Sequence, residues 1–182
     1  MGGAYVFLSK LVRRVKLDWW RLTVPIRVKA LGVRLVGRVQ FFGMPIVSMV
    51  PGSDIEVDAR VVLCSDPEMT ALVVSRPVVL RTLGPQARIK IGEDCGLSGT
   101  TICAARAISI GKECLIGADV LICDTDFHAL APHGRRFNDL SQAIKAAPVT
   151  IEDNVFIGAR SVVLKGVSIG RNSVIGAGSL VV

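Results

Sequence analysis

The sequence predicts a parallel β-helix, and three observations carry the prediction. From Ile151 to Val182 an aliphatic, β-branched residue recurs every six positions: Ile151, Ile157, Val163, Ile169, Ile175 and Val181. Gly follows three of them, at Gly158, Gly170 and Gly176, and the fifth position of the hexad is small or aliphatic (Val155, Ser161, Val167, Ser173, Ser179). Hydrophobic residues make up 51% of the 182-residue chain but aromatics only 5%, which suits a narrow core of Ile, Val, Leu and Ala. An amphipathic helix repeats at three and four residues and a half-buried strand at two; neither repeats in sixes. A period of six makes each hexad one short strand and one turn, with three hexads closing a triangular coil of about 18 residues. A single coil cannot bury its inward Ile and Val; stacking the next coil on it does. Each such burial stabilises by about 1.5–3 kcal/mol.

Taken in order, the chain opens with a basic amphipathic arm, residues 1–32. The net charge is +7, yet residues 1–38 hold nine Lys or Arg against one acid, Asp18, so the rest of the chain is nearly neutral. Leu8, Leu11, Val12 and Val15 follow helical spacing while Lys10, Arg13, Arg14 and Lys16 fall largely elsewhere, which predicts a helix over residues 4–22. Two compatible readings follow. The helix lies on an anionic membrane surface, with Trp19 and Trp20 at headgroup level. Or it covers the end of the β-helix or a neighbouring subunit, since terminal coils of a solenoid need a cover. A nucleic-acid partner is not expected, because only the two Trp could stack on bases. No run of 18 apolar residues predicts an ordinary membrane span. The opening MGGAYVFLSKLVRR has its charges after its apolar residues, the wrong order for a secretory signal. Five Cys (Cys64, Cys95, Cys103, Cys114, Cys123), with no C-x-x-C pair, read as free thiols in a reducing compartment, some of them small apolar fillers of the core. The expected location is cytoplasmic, with the arm a means of attachment to the inner face of a membrane.

Residues 33–182 are read as the β-helix domain. Its first part is ragged: Ile55 and Val61 keep the spacing, CSDPEMTALVVSRP breaks it as a loop leaving one corner, and Val73, Val79, Pro85 and Ile91 resume it. Ile91 and Leu97 are six apart, and Ile110, Ile116 and Ile122 continue one residue out of step. That slip predicts a one-residue insertion at a corner between Cys103 and Ile108. After Ile122 the hexads stop for DTDFHALAPHGRRFNDLSQAIKAA, residues 124–147, and Pro148-Val149 and Ile151 restore them. A loop this long leaving a regular solenoid is usually functional or disordered. It carries both histidines of the chain, His128 and His133.

IGEDCGLSGTTI, ISIGKECLIGADVLICDTDFHAL and PVTIEDNVFIGARSVVLKGVSIGRNSVIGAGSLVV together resemble the hexapeptide-repeat acyltransferases, which include the maltose and galactoside O-acetyltransferases and O-acetyltransferases of polysaccharide synthesis. The resemblance covers about residues 86–182. It implies a left-handed parallel β-helix, a homotrimer with sites between subunits, and acyl transfer from acetyl-coenzyme A, with no metal. The hand comes from the resemblance alone and is an exception to the right-handed crossover rule.

The resemblance also assigns residues. The family's catalytic histidine stands at the edge of the interrupting loop, usually before Pro; His128 matches it, with Ala129 in place of the Pro. Phe156 stands where the sugar acetyltransferases carry an aromatic residue after the loop. Ala159 and Ala177 match small residues whose backbone meets the pantetheine arm. The polar residues that hold the sugar in the galactoside enzyme fall here on Leu97 and Ala105, so that acceptor is not carried over. The family's C-terminal turn and basic residues are not met before Val182, which implies a longer natural chain or a different hold on the adenine end.

Transfer to a hydroxyl needs a base, and imidazole titrates near neutrality. Backbone N–H groups of tight turns can serve the developing oxyanion. His128 is the base of choice, against a plain loop histidine; His133 is read as a solvated loop residue. Asp124 and Asp126 would orient the imidazole or bind the acceptor, or else sit in an exposed turn. Ser98 would face the site or pack a corner. Arg160 and Lys165 would meet coenzyme A phosphates or lie on a solvated face. A zinc hydratase of the same coil shape would need three protein ligands, and the chain has two histidines on one loop. An acetyl-Cys123 route predicts ping-pong kinetics. The reading is an O-acyltransferase acting on a sugar or glycolipid; the alternatives are another small hydroxyl or amine acceptor, or an inactive scaffold.

Overall fold

A computed structural model describes residues 2–132, 136 and 143–182, with side chains from Phe7 onward. A long helix, α1 (Gly2–Ala30), precedes eighteen short strands, and every third strand joins the same six-stranded parallel sheet. The first sheet stacks β1 (Arg34–Leu35), β4 (Asp54–Val57), β7 (Arg88–Ile91), β10 (Ala107–Ile110), β13 (Val149–Ile151) and β16 (Ser168–Ile169). The second stacks β2 (Gln40–Phe42), β5 (Val62–Cys64), β8 (Gly96–Ser98), β11 (Leu115–Ile116), β14 (Phe156–Ile157) and β17 (Val174–Ile175). The third stacks β3 (Ile46–Ser48), β6 (Val79–Thr82), β9 (Thr101–Ala104), β12 (Leu121–Cys123), β15 (Val162–Val163) and β18 (Leu180–Val181). Three parallel sheets, one strand of each per coil, are the triangular β-helix of hexapeptide repeats that the period predicts.

The register explains the sequence. Val57, Ile91, Ile110, Ile151 and Ile169 stack in one inward column, and Leu97, Ile116 and Ile157 in the next. Leu80, Ile102, Ile122 and Val163 form the third. All are buried. Ile175 and Val181 are only half-buried, since no further coil lies on theirs. Shortening a mid-column residue, Ile157→Val, should cost about 0.5–1.5 kcal/mol, read as a lower midpoint in urea. The five Cys are free and buried, filling the core and the lining of one corner.

Two details of the expected register change. Ile55 and Val61 are buried as foreseen, but Val73 and Pro85 are exposed and Val79 is outward-facing; the inward residues there are Val78, Leu80 and Ile89. The insertion between β5 and β6, with its 3₁₀ turn Pro67–Met69, is not a multiple of six and so resets the frame. The later slip is two compensating steps rather than one inserted residue. Leu97 to Ile102 takes five residues and Ile102 to Ile110 eight, which leaves Ala105 and Arg106 as an added corner.

α1 runs beyond the expected end at residue 22, through Pro25. Pro lacks the N–H that would bond the Arg21 carbonyl. Burial holds the helix together: Trp20, Val24 and Val28, four residues apart, pack into the same core as Val39 and Phe41, over β1 and β2. Its C-terminal half is therefore a lid on the first coil. No described helix is long and apolar enough to cross a membrane.

Candidate active site

The loop leaves the prism at the edge between the third and first sheets, after β12. Side chains alternate along a strand, so Asp124, two residues past inward Ile122, also faces inward, level with Ala104 of the coil before. It is fully buried. Its two carboxylate oxygens accept from the Ala105 N–H at 2.6 Å and the Arg106 N–H at 2.7 Å, the amides of the added corner. Asp124 is thus neither in an exposed turn nor open to an acceptor; it anchors the start of the loop to the coil.

Beyond Asp124 the two arms of the loop close into a neck. Thr125 bridges Ala146 in antiparallel fashion, the Asp126 N–H donates to the Lys145 carbonyl at 3.0 Å, and the Ala147 N–H to the Asp124 carbonyl at 2.9 Å. Lys165, one coil on, pairs its ammonium with Asp126 at 2.6 Å. Lys165 is therefore half-buried at the neck rather than on a solvated face. The other Asp126 oxygen, Oδ2, is buried without a hydrogen-bond partner among the described residues. Phe127 follows with φ +60°, a left-handed conformation uncommon for a bulky residue. The Phe127 N–H donates to Thr125 Oγ1 at 3.2 Å. His128 is exposed on the outer side of this neck, and Ala129 beside it is buried. His133 lies outside the described residues.

The remaining expected residues gather on a different edge, between the second and third sheets. Ala159 and Arg160 follow β14, Ala177 follows β17, and Ser98 ends β8. Phe156 faces outward from β14, 44% exposed. Successive coils come close here, as they also do at Gly92 and Gly111 on another edge. A Cβ on Gly117 would stand 2.6 Å from the Ala159 nitrogen, and one on Gly158 would meet the Ala177 nitrogen. Gly and Ala are needed to stack this corner, and they leave it thin, with main chain near the surface. Arg160 is exposed, in the left-handed conformation of the turn, and its N–H donates to the Ala118 carbonyl at 2.7 Å. Ser98 is half-buried and its carbonyl accepts from the Asp119 N–H, a corner-packing place.

One chain thus brings Asp124, Asp126, His128 and Lys165 to one edge and Ser98, Ala159, Arg160 and Ala177 to another, with the whole third sheet between. The faces flanking the second group are apolar. Leu115, Phe156 and Val174 form an exposed outward column on the second sheet, and Leu121, Val162 and Leu180 a column on the third. The first sheet instead carries Arg34, Glu56, Lys90, Ser109, Thr150 and Ser168. Neither the Asp126–Lys165 pair nor the buried place of Asp124 was foreseen. The second was readable, because inward parity from Ile122 reaches Asp124; the first depends on the stacking of two coils across the loop.

Burial raises the thiol pKa of Cys123, and that of Cys103 stacked beside it, so both stay protonated. Among the described residues no group of three or more His, Cys, Asp or Glu could hold a metal ion. Cavities of about 450 and 510 Å³ both lie along α1, against the first coil and the insertion between β5 and β6.

The family model described as the hexapeptide repeat of succinyl-transferase matches residues 107–123 and 148–182, on either side of the loop. The chain is 44% identical over 78 residues to a galactoside O-acetyltransferase of Lactococcus lactis subsp. lactis (strain IL1403), covering 41% of this chain and 33% of that one. It is 38% identical over 84 residues to the galactoside O-acetyltransferase of Escherichia coli (strain K12), covering 44% and 37%. The crystal structure of the polySia specific acetyltransferase NeuO superposes with a TM-score of 0.48 at 16% identity, over 82% of this chain and 77% of that one. The matched segment spans about a third of the length of the two curated relatives. Over this segment the repeat, the coil it builds and the two sequence relatives make the chain similar to the hexapeptide-repeat acyltransferases.

Proposed function

We propose that the protein is an O-acyltransferase that moves an acetyl group from acetyl-coenzyme A to a hydroxyl of a sugar or glycolipid, with His128 as general base. The observation that carries this reading is the exposed His128 where the repeat is interrupted, two residues past Asp126, which Lys165 holds at the loop neck. Acetyl-coenzyme A supplies the activated acyl group. The edge of Gly117, Gly158, Ala159 and Ala177 carries small residues on successive coils, which fits a narrow pantetheine arm. Arg160 is the cation on that edge available to a phosphate, whereas Lys165 is engaged at the loop neck. The unpartnered Asp126 Oδ2 supports a role for Asp126 in accepting a hydrogen bond from the acceptor or from the imidazole. Raised thiol pKa values at Cys123 and Cys103 favour direct transfer over an acetyl-Cys route. The sugar acceptor draws support from the names of the two galactoside enzymes, which are similar over part of the chain.

The proposed working unit is a homotrimer. The edge bearing Ala159 and Ala177 in one subunit would face the edge bearing His128 in the next, and the apolar columns of the second and third sheets would be covered between them. Val174→Asp combined with Leu180→Asp places a charge in each column and should convert the trimer to monomer by light scattering at micromolar concentration. Wild type that is monomeric and fully active would refute the shared site. In this scheme residues 1–32 are an arm whose C-terminal half packs on the first coil of the catalytic domain 33–182, and the enzyme works in the cytoplasm. A screen of sugar and glycolipid acceptors with labelled acetyl-coenzyme A, read by mass spectrometry, tests the reaction. Label found only on amines, or on none of the acceptors, would overturn it.

A further inference from the structure

The lid helix has a second face that the coil does not use. Leu8, Leu11, Val15, Trp19, Leu22 and Ile26 recur three or four residues apart and are 47–69% exposed. They form one continuous stripe over about five turns. The buried residues Val24 and Val28 lie about 120–160° around the helix from Leu22 and Ile26, so this part of the stripe is turned away from the first coil. An apolar stripe of this length on a helix already packed on its other side marks an interaction surface. Its surroundings indicate the partner. Lys29 is exposed beside it, Arg14 and Arg27 are exposed about 100–120° around the helix from its centre, and Asp18 is the only acid in α1.

We infer that this stripe docks the protein on an anionic lipid bilayer, with α1 lying in the plane of the interface and the β-helix standing off on its far side. The charge decides for a membrane over a second copy of the chain, because pairing two such helices would bring their cations together. Insertion of the stripe buries aliphatic surface while the flanking Arg and Lys meet headgroup phosphates. The inference rests on α1 alone and stands apart from the acyl-transfer reading.

The chain has two tryptophans, and they report on opposite faces. Trp19 is 64% exposed in the stripe, while Trp20 packs against the core. The test uses full-length Trp20→Phe, in which only Trp19 emits, and Trp19→Phe, in which only Trp20 does. Each is mixed with vesicles of equal parts phosphatidylglycerol and phosphatidylcholine, and with phosphatidylcholine alone. Anionic vesicles should shift Trp19 emission to the blue and protect it from iodide, leave Trp20 unchanged, and lose hold as salt rises. Leu22→Glu with Ile26→Glu, both at exposed positions, should lower partitioning about tenfold or more with an unaltered circular dichroism spectrum. The inference is overturned if anionic vesicles leave Trp19 unshifted, or if the double Glu variant partitions like wild type. It is equally overturned if Trp19 is already blue-shifted without lipid in a concentration-dependent assembly, which would mean that a second copy covers the stripe.

Discussion

Replacing His128 by Ala should lower kcat by about 10²–10⁴-fold, the usual worth of a positioned general base, and leave the KM for acetyl-coenzyme A nearly unchanged. The second expectation follows from the proposed division of roles: the coenzyme is held along the edge of Ala159 and Ala177, which does not include His128. In the proposed mechanism the proton of the acceptor hydroxyl passes to the imidazole as its oxygen attacks the thioester carbon, and then to the departing thiolate, so the loss should fall on the chemical step. His128→Asn keeps a polar group that cannot take the proton and should be as poor as Ala. His133→Ala is the control and should be mild. If His128→Ala kept more than about a third of wild-type kcat while His133→Ala lost it, the base would be the other histidine.

Asp124→Ala should lower stability by about 2–4 kcal/mol, because it removes a charged acceptor from two main-chain N–H groups at a largely buried corner. For a chain of this size that corresponds to a melting temperature lower by roughly 5–15 °C. Asp124→Asn should recover little, since its carbonyl oxygen can serve one N–H while its amide nitrogen faces the other. The loop starts at this residue, so the surviving folded fraction should also show a lower kcat. The acceptor KM separates this positioning role from direct recognition. A raised acceptor KM with an unchanged melting temperature would mean that Asp124 contacts the substrate after all.

The pairing of Asp126 with Lys165 gives a smaller, distinguishable effect. Lys165→Met removes the cation that faces Asp126 at 2.6 Å and should loosen the loop neck, lowering the melting temperature by less than Asp124→Ala does. A fall as large as that of Asp124→Ala would make this pair, rather than the buried carboxylate, the main anchor of the loop.

The legible part of the site was what lies on one stretch of chain. His128 stands out because DTDFH breaks a strict hexad, and Ala159 and Ala177 because small residues recur at one place in it. Lys165 was misplaced for a physical reason: its partner is one coil and a long loop away in sequence, and nothing local distinguishes a paired lysine from a solvated one. The ragged N-terminal coils hid their frame because insertions that are not multiples of six shift every later inward position.

By itself the sequence determined the coil. A β-branched residue every sixth position can be buried only if each hexad turns one corner of a prism, so the three sheets and their inward columns follow from spacing alone. Only the tertiary structure decided the rest. It turned Val24 and Val28 of α1 onto the first coil and left Leu22 and Ile26 outside, because the coil's open end accepts one face of a helix. It also set His128 and the small-residue edge on different edges of the prism. Spacing says which residues point inward; which edge each outward residue reaches depends on how many residues every corner inserts, and that is settled only when the coils stack.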